Sequence, residues 1–146
     1  MTTSISEIRK DFPLLMSNDV IYLDTAATSQ KPSCVLEAER TFYEKYNANP
    51  LRGLYELGEA ATEKYEEARE AVREFLNARE AAEIVFVRNA TEGLNLVAYS
   101  FGSLVLKPGD EILVSIMEHH SNLLPWQQAA ARTGAVVKYL ECTEDG

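Results

Sequence analysis

Ile84-Val85-Phe86-Val87, Glu111-Ile112-Leu113-Val114-Ser115-Ile116 and Val136-Val137-Lys138-Tyr139-Leu140 are three short apolar runs, and what separates them decides the fold. A helical pattern from Thr91 to Leu106 lies between the first two, and another from Ser121 to Thr133 lies between the last two. Strand–helix–strand–helix–strand with short connections predicts parallel strands joined by right-handed crossovers. The runs are continuous rather than alternating, which predicts a sheet covered by helices on both faces. The fold class is α/β, built on a mostly parallel sheet.

Working outward, Ser4 to Phe12 reads as a short helix ended by Pro13, and Val20 to Leu23 as a short strand. Pro32 suits the first turn of a helix running to about Tyr46. The breaker Asn47-Ala48-Asn49-Pro50 makes 47–55 a loop. Leu57, Ala61, Tyr65, Ala68, Val72, Phe75 and Leu76 then recur at helical spacing. Residues 56–83 hold nine glutamates against four basic residues, so more than half of the net charge belongs to the solvated side of this helix.

The chain has 146 residues, 46% hydrophobic and 25% charged, the profile of an ordinary soluble domain. Fourteen basic residues against 23 acidic ones give a net charge of −9 with no basic stripe, which argues against a nucleic-acid partner. No apolar run approaches the roughly 20 residues of a membrane span, and Met1 to Glu7 lacks a basic-then-apolar signal region. Two cysteines, Cys34 and Cys142, cannot build a disulfide framework, so a reducing cytoplasm is the expected location. Neither has a neighbouring histidine or a helix-start setting that would activate it.

Ligands of open α/β sheets sit beyond the carboxyl ends of the strands, and two segments fall there. In Arg88-Asn89-Ala90-Thr91-Glu92 a strand turns into a helix, where free N–H groups and a Thr hydroxyl suit a phosphate. The same residues suit a plain helix cap, with Asn89 as N-cap and Glu92 reciprocating. Met117-Glu118-His119-His120-Ser121-Asn122 holds both histidines of the chain. A neutral imidazole there can stack on a planar cofactor and carry protons; the alternative is a loop pair with Ser121 or Asn122 capping the next helix. Adjacent histidines without a helical His-Glu-x-x-His spacing make a poor zinc site, so no metal ligands are assigned. Asp24-Thr25-Ala26-Ala27-Thr28 has small side chains that let a backbone approach a ligand, and Arg52 beside Gly53 can grip a carboxylate. A plain turn and a solvated arginine are the alternatives.

In this order, Ile21-Tyr22-Leu23-Asp24-Thr25-Ala26-Ala27-Thr28-Ser29-Gln30-Lys31-Pro32, Tyr46-Asn47-Ala48-Asn49, Arg52-Gly53, Ala61-Thr62, Tyr65-Glu66, Arg88-Asn89-Ala90-Thr91-Glu92, Asn95-Leu96-Val97-Ala98, Gly109-Asp110-Glu111-Ile112, Glu118-His119-His120-Ser121-Asn122 and Pro125-Trp126-Gln127 resemble one family. They look like the N-terminal part of a pyridoxal-phosphate-dependent cysteine desulfurase of the sulfur-mobilisation type. The resemblance implies a fold-type-I, class V aminotransferase architecture working as a homodimer with pyridoxal 5'-phosphate. It implies residues 1–19 as an N-terminal arm packed on a small domain, and 20–146 as the first part of the large cofactor-binding domain. It implies His119 stacked on the pyridine ring as the catalytic proton carrier, Thr91 with the Ala90 backbone at the cofactor phosphate, Ala26 and Ala27 near the substrate, and Arg52 at the substrate entrance near the partner subunit's site.

The implied reaction takes sulfur from L-cysteine, leaving L-alanine and an enzyme persulfide for a sulfur-acceptor or scaffold protein of iron–sulfur cluster assembly. Many relatives carry Gly-Thr at Asn89-Ala90 and His at Leu51. The lysine, aspartate and sulfur-accepting cysteine of the family are not assignable in 1–146. The chain is therefore expected to be a leading portion of a larger enzyme, inactive alone. A selenocysteine lyase or another class V enzyme is the alternative within the superfamily. A non-enzymatic cytosolic α/β module binding a phosphorylated ligand or a protein is the alternative outside it.

Overall fold

In the computed structural model, which describes residues 4–17, 19–51 and 53–144, the chain divides into two units, Met1–Ile84 and Val85–Gly146. The first unit is helical: α1 (Ile5–Arg9), α2 (Pro13–Ser17), α3 (Ser33–Lys45), α4 (Glu56–Leu76) and a short 3₁₀ turn at Ala81–Glu83. Ser4 caps α1 in a full capping box with Glu7. Pro13, expected only to end that helix, begins α2, a position where its missing N–H costs nothing. Pro32 sits one residue before α3 rather than inside its first turn.

The stretch Val20–Leu23 forms no strand and belongs to no sheet among the described residues. The Val20 carbonyl instead accepts from Arg9 Nη2 at 3.2 Å. The predicted stripe of α4 is met in part. Ala61 is buried and Tyr65 and Val72 are half-buried, while Phe75 and Leu76 at its end are exposed. Its solvated side carries the exposed pair Lys64–Glu67 at 2.7 Å, as expected, while Arg69 and Arg73, paired with Glu66 and Glu70 at 3.1 and 2.7 Å, are half-buried.

A loop is clamped onto the start of α4. The Leu51 amide donates to Thr62 Oγ1 at 2.8 Å, and that hydroxyl donates to the Gly58 carbonyl at 2.7 Å. Leu51 itself has φ 68°, in the left-handed region. Gly58 is buried against Gly53 so closely that a Cβ on it would lie 2.7 Å from the Gly53 Cα.

The second unit holds α5 (Ala90–Leu96), a π-helical turn at Val97–Phe101, α6 (Gly102–Val105), β1 (Glu111–Ser115), α7 (His120–Thr133) and β2 (Val136–Leu140). β1 and β2 pair in parallel, Glu111 opposite Val136 and Ser115 opposite Leu140. Two of the three predicted strands therefore form the sheet, with α7 as the crossover. The third, Ile84–Val87, lies outside it, with Ile84 in an extended conformation. Its apolar residues favour an extended backbone, but a ladder also needs a neighbouring strand, and the Ile84 carbonyl accepts from the Arg69 guanidinium instead.

The helix expected over 91–106 is one continuous coil interrupted by the π-helical turn. There the Gly102 amide bonds the Val97 carbonyl, and Arg132 of α7 reaches the Ala98 carbonyl at 3.4 Å. Ala98, Val114, Ala129, Ala130 and Ala135 form the core of this unit. The residues are small because helices and sheet approach closely. Leu113, Val136 and Leu140, on the opposite sheet face from the more covered Ile112, Val114 and Val137, are exposed. Among the described residues no helix is long and apolar enough to cross a membrane.

The start of β1 and the end of α7 are fixed together at one edge. Lys107-Pro108-Gly109-Asp110 is a tight turn closed by Asp110 N–H to the Lys107 carbonyl at 3.1 Å. It is tied to the end of α7 by the Gly109 amide on the Gly134 carbonyl at 2.9 Å. Gly134 ends α7 at φ 79°, and a Cβ there would meet the Pro108 Cα at 3.2 Å. Gly134→Ala is expected to cost about 1–2 kcal/mol, as a left-handed residue with a side chain does, read as a lower midpoint in urea denaturation.

Candidate functional site

Two helix starts meet beyond the carboxyl end of β1. Asn89 is the N-cap of α5, its Oδ1 accepting from the Glu92 amide at 2.9 Å. The reciprocal half of the cap is displaced by one residue. Glu92 Oε2 accepts from the Arg88 amide at 2.6 Å, and its carboxylate also takes Arg88 Nε and Nη2, both at 3.2 Å. Arg88 thus holds the Glu92 carboxyl below its ordinary value, chiefly through the side-chain bond and then through the backbone bond.

The cap of α7 differs from the expectation that Ser121 or Asn122 would supply it. The cap is His119, whose Nδ1 accepts from the Ser121 amide at 3.1 Å. An atom accepting from an amide carries no proton, so the neutral ring bears its proton on Nε2. Ser121 Oγ lies 2.6 Å from the same Nδ1 and therefore donates to it. Thr91 Oγ1 donates to Ser121 Oγ at 3.0 Å. Thr91, from the start of α5, and His119, from the start of α7, are joined through a serine that the sequence suggested only as a cap.

Thr91, Asn95, His119, Ser121, Leu124 and Gln128 line a cavity of about 390 Å³. Thr91 and both imidazoles are exposed to it, and Ser121 is half-buried. A second hollow of about 660 Å³ lies on the outer side of α5 against Arg88 and Tyr99. A hollow of similar size in the first unit, about 640 Å³, is lined by Glu56, Glu59 and Glu63, whose charge repels an anion.

Ala90 is the first residue of α5, where the N–H points out of the helix. Ala26 and Ala27 belong to a turn of the first unit, closed by the Ala27 and Thr28 amides on the Asp24 carbonyl at 3.2 and 3.1 Å. The Tyr22 hydroxyl braces that turn through the Asp24 and Thr28 carbonyls at 3.0 and 2.5 Å. Arg52 lies outside the described residues.

One further device escaped the sequence reading. Asn122 donates from Nδ2 to Glu118 Oε2 at 2.8 Å and accepts from Trp126 Nε1 at 2.9 Å. This ladder runs down the start of α7 and braces the helix that His119 caps. Its signal was the four-residue spacing of Glu118, Asn122 and Trp126.

The sequence model of the family described as Aminotransferase class-V matches residues 21–146. A probable cysteine desulfurase of Synechocystis is 53% identical over 141 residues, covering 94% of this chain and 34% of that protein. The apo cysteine desulfurase of Thermococcus onnurineus superposes with a TM-score of 0.90 at 43% identity, over 100% of this chain and 36% of its own. The cysteine desulfurase CsdA of Escherichia coli superposes with a TM-score of 0.81 at 40% identity, over 99% and 36%. The chain spans about a third of the length of the curated relatives it matches.

Because Glu92 titrates below its ordinary value, its bonds to Arg88 are complete above the normal carboxylate range. They are lost as the pH falls through the depressed value. Arg88→Met is expected to move the Glu92 carboxyl titration upward, toward the ordinary carboxylate value, as followed by carbon NMR of the side-chain carboxyl.

Proposed function

The chain belongs to the class-V aminotransferase family, and from that premise we propose a pyridoxal-phosphate-dependent cysteine desulfurase, taking sulfur from L-cysteine and leaving L-alanine. The observation that carries the reading is the single cavity onto which Thr91, Ser121 and His119 open. Its donor set fits the cofactor's chemistry: the Thr91 hydroxyl, once turned from Ser121, and a helix-start backbone for a phosphate, and an exposed imidazole for an aromatic ring. Ala90, through its backbone, and Thr91 would hold the phosphate, and His119 would lie on the ring.

The cofactor, when bound, supplies the electron sink for bond breaking on the amino acid. The protein's part is orientation and proton traffic. With Nδ1 engaged by Ser121, His119 can hold or deliver a proton only at Nε2. Ala26 and Ala27 would stand near the substrate, and Arg52 at its entrance beside the partner subunit's site. The sulfur would pass to a cysteine thiol as a persulfide, and from there to an acceptor or scaffold protein of iron–sulfur cluster assembly. The working form would be a cytoplasmic homodimer, with residues 1–19 as an arm on the small domain.

The test equilibrates the full-length gene product with pyridoxal phosphate, follows the visible absorption of the lysine-bound cofactor, and then measures alanine released from L-cysteine. Band and alanine are both expected. Thr91→Val should weaken cofactor affinity about tenfold, the equivalent of about 1.4 kcal/mol. His119→Ala should lower kcat by about 10²-fold or more, the loss of one proton-transfer group. Neither band nor alanine from the unmodified protein would overturn the assignment.

A further inference from the structure

We propose that Ser121 is a positioning residue, whose hydroxyl, held by Thr91, locks the His119 ring into its Nε2–H form and couples that ring to the start of α5. The proposal rests on the reading of His119 as the proton-carrying imidazole, and goes beyond it by assigning the residue that sets which nitrogen carries the proton.

Three bonds support it. A helix cap needs only the Ser121 amide on Nδ1, which is present at 3.1 Å. The hydroxyl adds a second and shorter bond to the same lone pair, at 2.6 Å. That hydroxyl has one proton and spends it on Nδ1, so it can receive Thr91 Oγ1 only as an acceptor, and the 3.0 Å bond between them has one direction. Thr91 to Ser121 to His119 is therefore a directed chain across two elements 30 residues apart, where a cap alone would involve one. Hydrogen bonds in such a chain polarise each other in the same sense. The Thr91 hydroxyl heads the chain and faces the cavity together with Ser121 and His119. A group that draws it away from Ser121 alters the bond received by His119.

Nitrogen-15 NMR of the full chain labelled at histidine tests this without cofactor or substrate, with His120→Gln used to assign the two imidazoles of residues 119 and 120. In the unmodified chain, residue 119 should show a pyridine-type Nδ1 and a pyrrole-type Nε2. Ser121→Ala should narrow this separation, because the longer amide bond is then left alone on Nδ1, and Ser121→Thr should restore it. Thr91→Val should shift the same resonances, and should shift them no further once Ser121 is alanine. Unchanged His119 resonances in Ser121→Ala would overturn the proposal, since the amide alone would then set the tautomer. Additive shifts in the Thr91→Val/Ser121→Ala double variant would overturn the coupling. In the loaded enzyme, Ser121→Ala should lower kcat severalfold more than it changes KM. A chain that fails to bind pyridoxal phosphate but shows the tautomer pattern leaves the positioning role standing and removes the functional reading instead.

Discussion

The parallel pairing of β1 with β2 is the constraint from which the candidate site follows. Two parallel neighbours cannot be joined by a hairpin, because the chain must return to the starting end before the second strand begins. α7 makes that return. Its start must then lie past the carboxyl end of β1, and residues 116–120 are delivered there without any specific attraction to a ligand. The opposite end of the crossover is pinned by the turn at Pro108 and by Gly134. Covalent geometry and two glycine-bearing turns thus place His119, and local hydrogen bonds only refine where its ring points.

The two helix starts at this edge are capped by chemically different means. Asn89 caps α5 with an amide oxygen, which does not titrate. His119 caps α7 with an imidazole nitrogen, which accepts only while unprotonated. The pair therefore combines a fixed element with a proton-sensitive one. Arg88 and Glu92 reinforce the fixed side through a bidentate ion pair on the solvent side of α5.

Much of this was legible in the residues. Val136–Leu140 and Glu111–Ser115 are apolar runs bounded by glycine-bearing turns, and both are strands. Ile84–Val87 looks the same in sequence, but composition reports a preference for extended backbone and says nothing about a partner strand. The cap of α7 was missed because serine and asparagine are the usual caps. Histidine Nδ1, however, is bonded to Cγ just as Oδ1 of asparagine is, and reaches the same amide. The relay through Ser121 left no local trace, since Thr91 and Ser121 meet only through the packing of α5 on α7. The bond from Arg132 to the Ala98 carbonyl of the π-helical turn likewise spans two helices far apart in sequence.

In the first unit, the bond between Leu51 and Thr62 has a bearing on which sequences this loop can accept. Thr62 grips residue 51 by its backbone amide, not by its side chain. The grip is therefore blind to the identity of residue 51, within two limits. Proline has no amide to offer, and β-branched residues resist the left-handed backbone found there. The position before Arg52 is free to exchange one side chain for another while the loop keeps its anchor. Chemistry can diverge at that point without the scaffold being rebuilt, because the threonine that holds it is carried by a different element.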